Sequence, residues 1–205
     1  MATSIIRLGG NSGVPKRAEG GFSLLEVMIS MVVLTVGLVS LLGVFGLAMA
    51  STQTSQEDMI AKQLANESLE SIVTARNTSQ LVWDDIQNVG ANTCTSGASS
   101  CGIFLVGMTS IYNSGTDGIF GTSDDATAGL QTLQQPGPDG IYGNADDVKI
   151  PLTGYQRTIL ISPVYDGLGN LVTTLRGVNI SVQYATTQAN IPKTYVVSSF
   201  ISQYR

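Results

Sequence analysis

The chain has 205 residues, of which 43% are hydrophobic and only 12% are charged, and its 10 basic and 15 acidic residues give a formal net charge of −5. It contains no histidine, which removes the commonest general base and the commonest transition-metal ligand and makes a Ser-His-Asp triad impossible. No basic patch follows the first 21 residues, so we do not expect a nucleic-acid partner. Because no histidine is present, we also do not expect an enzyme.

The N-terminal region changes abruptly from polar to apolar. Residues 1–21 are rich in glycine, serine and basic side chains and are predicted to form a leader. Residues 22–50 are apolar except for Glu26, and the run from Val27 to Gln56 carries no charge. A helix rises about 1.5 Å per residue, so about 20 residues cross a bilayer core of about 30 Å. The segment 22–50 is therefore predicted to be a transmembrane half-helix.

The helix is predicted to continue well beyond the apolar run. No proline lies between Pro15 and Pro136, so one unbroken helix is expected over residues 22–77. Its second half, 51–77, is amphipathic, with a stripe of small and apolar side chains at helical spacing. The stripe consists of Ala61, Leu64, Ala65, Ser68, Leu69, Ile72 and Val73. The first half therefore needs lipid or other helices around it, and the second needs a globular domain on one face.

The remaining residues, 78–205, are predicted to form an extracellular β-domain. Three β-branched or aromatic runs, Thr158–Ile161, Val178–Tyr184 and Tyr195–Ile201, are separated by turn residues. A single hairpin is marginally stable alone. We therefore expect an α+β fold, in which the long N-terminal α-helix packs on a small antiparallel sheet of three or four strands.

The loop after the helix contains the two cysteines, Cys94 and Cys101. In an exported protein their spacing indicates a disulfide that closes a small loop, the alternative being two unpaired thiols. Nearby, Trp83 is expected to anchor this loop on the core, and Asp84 and Asp85 are expected to face solvent.

Two acidic segments, 115–125 and 137–147, share the pattern D-G-I-[FY]-G-x-x-D-D. They resemble extracellular calcium-loop repeats but lack the EF-hand spacing. Their hydrophobic pairs, Ile119–Phe120 and Ile141–Tyr142, are expected to anchor each loop to the domain. The alternative is a pair of solvated Asp-Gly turns that need no metal. The candidate Ca²⁺ ligands are Asp117, Asp124, Asp125, Asp139, Asp146 and Asp147.

The junction at Gly21 and Phe22 carries the most specific motif. A basic leader ends in glycine, phenylalanine follows, and Glu26 lies four residues after Phe22 within the apolar run. This arrangement resembles the prepilin peptidase site of type IV pilins and type II secretion pseudopilins. Leu24–Met28 and Ala61–Ala65 extend the resemblance to minor pilins of the PilV type. The resemblance implies cleavage between Gly21 and Phe22 and N-methylation of Phe22.

The resemblance also implies a function. The chain would be a minor pilin, held in the bacterial inner membrane, processed by prepilin peptidase and packed with other pilin subunits into a surface filament. A carboxylate in hydrocarbon is costly and usually functional, so Glu26 is expected to meet the amine of Phe22 on a neighbouring subunit. The alternative is a protonated Glu26 near the headgroups.

Three other functions or processing routes remain open at this stage. The chain could be a type II secretion pseudopilin, or a calcium-binding surface protein or adhesin that never polymerises. A signal peptidase site at Ala48-Met49-Ala50 is the alternative to cleavage at Gly21. The apolar run before that site is much longer than the about 7–15 residues of a cleavable signal.

Overall fold

The computed structural model describes residues 20–186 and 191–204, so residues 1–19 of the predicted leader lie outside it. The fold is α+β, with one long helix followed by a small antiparallel sheet, which confirms the predicted class. The described chain divides into two compact units, the first ending at Leu47 and the second beginning at Ala48.

The long helix, α1, spans Leu24–Asn77, which is 54 residues. It begins two residues after the predicted start, because the carbonyl of Ser23 is the first acceptor: the backbone N–H groups of Glu26 and Val27 donate to it at 3.0 and 3.2 Å. The helix ends in a polar stretch where Ser79 adopts a left-handed φ of 65°. This conformation stops helix propagation and is uncommon for a residue other than glycine.

The main sheet contains four antiparallel strands. In their order across the sheet, these strands are β1 (Thr109–Ser110), β4 (Tyr155–Tyr165), β5 (Leu171–Ala185) and β6 (Pro192–Ser202). The three predicted strand segments lie inside β4, β5 and β6. The short turn between β4 and β5 is closed by the side chain of Asp166, whose Oδ1 accepts from the backbone N–H groups of Leu168 and Asn170. The aspartate and glycines of this turn therefore act as the sequence pattern predicts.

The core lies between the second half of α1 and one face of this sheet. Ala61, Leu64, Ala65, Ser68 and Ile72 of the predicted stripe are buried, while Leu69 and Val73 are half-buried. The sheet contributes the buried residues Ile159, Val178, Ile180, Val182 and Ile201. Each fully buried aliphatic side chain contributes about 1.5–3 kcal/mol to folding.

Shorter elements connect the helix to the sheet. A 3₁₀ turn spans Trp83–Asp85, and a four-residue helix, α2, spans Asp125–Ala128. Strands β2 (Thr132–Gln135) and β3 (Val148–Pro151) form a separate two-stranded hairpin. Cys94 and Cys101 form the predicted disulfide, with a Cα–Cα distance of 5.8 Å.

The expectation that Asp84 faces solvent is wrong. Asp84 is buried and accepts three short hydrogen bonds: from the backbone N–H and hydroxyl of Thr95 at 2.8 and 2.6 Å, and from the backbone N–H of Ser96 at 2.8 Å. Burial alone would raise the pKa of Asp84, yet these bonds hold it well below its usual range. The Arg176 guanidinium lies 3.9 Å from the carboxylate and 4.3 Å from the Trp83 ring, so this cluster fixes the loop on β5.

Candidate functional site

The N-terminal motif lies at the exposed start of α1. Phe22 is 82% exposed and precedes the helix, while Glu26 lies in the first turn. A carboxylate in the first turn is favoured by the helix dipole, by roughly 0.3–1 kcal/mol at an exposed site. Ser30 donates its hydroxyl to the carbonyl of Glu26 at 2.7 Å, which keeps a polar group off the apolar surface. The structure therefore leaves the bond between Gly21 and Phe22 accessible and places Glu26 one turn beyond it.

The apolar half of α1 is long enough to cross a membrane. Among the described residues it is the one helix that meets the length and composition of a span, and none of its most apolar window is buried. Its large side chains are exposed almost without interruption from Leu24 to Met49. A helix that is apolar all round is stable only inside lipid or among other helices. This half of α1 therefore has the surface of a membrane-spanning and bundling helix.

A second candidate site consists of the first acidic loop (115–125) and the second acidic loop (137–147). Two hydrogen bonds from backbone N–H groups to aspartate side chains recur at equivalent positions of both loops. In the first, the backbone N–H of Ile119 donates to Asp117 Oδ1 at 2.8 Å and that of Gly121 to Asp125 Oδ2 at 2.6 Å. Each loop therefore begins with an aspartate that accepts from the backbone two residues later, a favoured turn of this residue type.

The second loop repeats these contacts at the equivalent positions. Ile141 N–H donates to Asp139 Oδ1 at 2.9 Å, and Gly143 N–H donates to Asp147 Oδ2 at 2.6 Å. Gly121 and Gly143 both have positive φ, 88° and 90°, which explains why the pattern needs glycine there.

The surroundings of the two loops differ completely. Ile119 and Phe120 are only 2% and 7% exposed, whereas Ile141 and Tyr142 are 62% and 66% exposed. The expectation that both hydrophobic pairs anchor their loops is therefore correct for the first pair and wrong for the second. The reason is position, because the second loop connects β2 to β3 at the tip of the separate hairpin and has no core beneath it.

A buried cation packs against the first loop, and the sequence pattern did not single it out. Arg157 of β4 is 1% exposed, donates to the hydroxyl of Ser68 at 2.7 Å, and lies 4.7 Å from the centre of the Phe120 ring. Burial lowers the pKa of Arg157 to about 10, while Asp125 and Glu67 act in the opposite direction. Arg157 therefore stays charged at neutral pH and links α1, β4 and the loop. Strand alternation was the available signal, because residue 157 shares a face with Ile159.

The equivalent aspartates of the two loops have opposite pKa shifts. Burial raises the pKa of Asp125, although the N–H groups of Gly121 and Gly115 act against this. The pKa of Asp147 is lowered, mainly by the N–H of Gly143. The same hydrogen-bonded position is thus a desolvated carboxylate in one loop and a solvated, ionised one in the other.

The three predicted calcium ligands of the first loop lie close together. Asp117, Asp124 and Asp125 each offer an oxygen within 4.8 Å of the others, and among the described residues they form the one such acidic group. Ca²⁺ takes six to eight oxygen ligands, so this set could supply part of a coordination shell. The carboxylates of the second loop, Asp139, Asp146 and Asp147, form no such group. Calcium binding stays a prediction for both loops.

Comparisons with known proteins identify the N-terminal motif. Residues 16–42 match the family model described as the prokaryotic N-terminal methylation motif. No curated protein and no solved structure matches the chain. The match covers the leader end, Gly21, Phe22, Glu26 and part of the apolar run, and it does not extend to the β-domain. The motif and the long apolar helix together support a type IV pilin-like or pseudopilin-like protein.

Proposed function

We propose that the chain is a structural subunit, a minor pilin, of a type IV pilus. The observation that carries this proposal is the register of Gly21, Phe22 and Glu26 at the start of an exposed, membrane-length apolar helix. Each part has a use in a filament subunit: the glycine and phenylalanine in processing, the glutamate in pairing, and the helix in lipid and then in a helical bundle.

Before assembly, the apolar half of α1 holds the subunit in the bacterial inner membrane, and the β-domain lies outside it. Prepilin peptidase removes residues 1–21 and frees the amine of Phe22, which is then methylated. In the uncleaved chain the Phe22 nitrogen is an uncharged amide, so processing creates the positive charge that Glu26 needs as a partner. Assembly therefore requires prior cleavage of the leader.

In the filament, α1 leaves lipid and packs against the helices of other subunits. A carboxylate buried in such a bundle is destabilising unless it is paired, since an unpaired buried charge costs several kcal/mol. The amine of Phe22 on a neighbouring subunit satisfies Glu26 only when the two helices are correctly offset. Glu26 thereby sets the register of the subunit.

The first test is the mass and N-terminus of the mature chain. We expect a chain that starts at Phe22 and carries one extra methyl group on its amine, seen by intact-mass and N-terminal analysis of membrane material. A chain that starts at Ser51 would establish signal peptidase cleavage after Ala50 and would overturn the proposal.

The second test removes only the charge of Glu26. Glu26→Gln should leave cleavage intact but reduce the amount of the chain in sheared filaments, because the neutral amide cannot pair with the amine. Glu70→Gln is the matched control, since it makes the same chemical change in the amphipathic half of α1, where Glu70 is exposed. Equal incorporation of the two variants would contradict the role of Glu26. Loss of secretion rather than of pili would identify a type II secretion pseudopilin.

A further inference from the structure

The second acidic loop presents an unusual surface. Ile141 and Tyr142 project from the tip of the β2–β3 hairpin and are 62% and 66% exposed, beside Asp139, Asp146 and Asp147. Single exposed apolar residues are common and need no explanation. Here, however, the same motif occurs twice in one chain, and its other copy shows what surface the motif packs against.

The first loop packs its hydrophobic pair in two ways. Ile119 joins the core cluster, and the ring of Phe120 lies 4.7 Å under the guanidinium of Arg157. A cation over an aromatic face is favourable by about 0.5–2 kcal/mol, depending on how far it is desolvated. The complement of such a loop is therefore an apolar wall with a cation placed over the aromatic ring.

One surface pocket of the described domain has this composition. It has a volume of about 550 Å³ and lies between α1 and the start of β6. Its walls include Met59, which is 63% exposed, and the rings of Tyr184 and Tyr195, and its cations are Lys62 and Lys193. We call this surface the lysine pocket. Asp58 at its edge is held by Lys193 at 3.6 Å and by the hydroxyl of Tyr184.

The basic residues of the described chain leave few other choices. Arg157 and Arg176 are buried, and Arg76 is bonded to the carbonyls of Ser202 and Tyr204. Lys149 lies on the hairpin that carries the second loop. The other basic residues that the structure describes are Lys62 and Lys193, and both line the lysine pocket. The exposed cations away from the hairpin are thus concentrated next to an apolar wall.

We propose that the second acidic loop of one subunit docks in the lysine pocket of a second copy of this chain. Ile141 and Tyr142 contact Met59 and Tyr195, and the loop carboxylates lie against the ammonium groups of Lys62 and Lys193. The loop and the pocket are different surfaces, so the contact is heterologous and can repeat along an open assembly. The inference rests on the proposed function in that a filament brings successive copies together.

The test places a photo-crosslinking benzophenone amino acid at position 142 of the full-length chain in living cells. We expect crosslinked dimers whose joined peptides contain Met59 or Tyr195 of the second copy. The control carries the same probe at Tyr165, which is 60% exposed at the end of β4 and should give no such product. Crosslinks to another protein, or to a different part of this chain, would overturn the proposed contact.

Charge reversal adds a second criterion. Lys62→Glu should reduce the crosslinked dimer at least about tenfold, because it places a like charge opposite the loop. Combining it with Asp146→Lys should restore the dimer. Lys62 is a suitable position, since it is exposed and has no ion pair within the described ranges 20–186 and 191–204. Failure of the second change to restore the dimer would contradict the pairing.

The two proposals can fail separately. If the chain is absent from sheared filaments, the proposed function fails, and crosslinking in the membrane fraction still decides the contact. If the chain is present in filaments but position 142 gives no product with Met59 or Tyr195, the contact is wrong and the function stands.

Discussion

The first and second acidic loops share one sequence pattern and the backbone hydrogen bonds of their first and last aspartates, yet one belongs to the core and the other projects from a hairpin. Asp117 and Asp139 close the same turn, and Gly121 and Gly143 adopt the same left-handed conformation. The loops differ in their packing, because the hydrophobic pair of the first loop is buried and that of the second is exposed. Local sequence determines the conformation of each loop, whereas its environment depends on the strands that carry it. Equivalent substitutions in the two loops therefore compare a buried site with an exposed site of similar backbone conformation.

The largest expected difference concerns the aromatic residue of each loop. Phe120→Ala should lower the free energy of unfolding by about 4 kcal/mol, because it leaves a cavity beneath Arg157. Tyr142→Ala should change it by no more than about 0.5 kcal/mol, because Tyr142 is exposed. Urea unfolding of the full-length chain in detergent micelles, followed through its single tryptophan, Trp83, measures both. Equal losses would show that the second loop is also packed.

Calcium should separate the loops next. If the first loop binds Ca²⁺, a hundredfold excess over the dissociation constant stabilises the native state by about 2.7 kcal/mol. Asp117→Asn should remove most of this gain and Asp139→Asn much less, since only the first set of carboxylates is gathered among the described residues. Melting with calcium and with chelator gives the difference for each variant. If the two variants lose the gain equally, the grouping is irrelevant to binding. If calcium has no effect, both loops are metal-free turns.

Substituting the equivalent glycines, Gly121 and Gly143, separates the cost of steric contact from the cost of backbone strain. Gly121→Ala and Gly143→Ala both force alanine into a positive φ, which costs about 1–2 kcal/mol in each loop. A Cβ at position 121 would also lie 2.5 Å from Ile159 Cδ1, whereas a Cβ at position 143 meets nothing within 4 Å. Gly121→Ala should therefore be the more destabilising by about 2 kcal/mol. Urea midpoints measure the difference, and equal midpoints would show that Ile159 moves aside freely.

The smallest expected difference between the loops is in the pKa values of the equivalent aspartates Asp125 and Asp147. The pKa of Asp125 is raised by burial, so its contribution to stability is present below the ordinary value and is lost as the pH rises through the raised pKa. The pKa of Asp147 is lowered, so its contribution is present above the ordinary value and is lost as the pH falls through the lowered pKa. Carbon NMR of the carboxylates should show Asp125 titrating above Asp147. The opposite order would mean that Asp125 is solvated.

Much of the fold could be predicted because it depends on local pattern. The α1 stripe and the strands around Ile159, Ile180 and Val197 follow periodicities of 3.6 and 2. The N-terminal motif could also be predicted, since it is a linear sequence pattern that does not depend on tertiary contacts.

Features that depend on tertiary partners were not predicted. Asp84 has the sequence context of a solvated acid, and only its approach to Thr95, Ser96 and Arg176 makes its burial tolerable. Ile141 and Tyr142 were expected to be anchored like Ile119 and Phe120. The sequence of the second loop does not indicate that it lies at the tip of a hairpin, away from the core.

The bonds of Arg76 have a mechanical consequence. This residue, at the end of α1, donates to the carbonyl of Ser202, the last residue of β6, and to the carbonyl of Tyr204 just beyond the strand. A pull transmitted along the second half of α1 would therefore reach β6 directly, as well as through the core. The pairing of β6 with β5 runs from Ala185 and Pro192 to Leu175 and Ser202. A force along the strands would act on all of these hydrogen bonds in parallel. The contact made by Arg76 would therefore distribute a pulling force over the whole β5–β6 pairing.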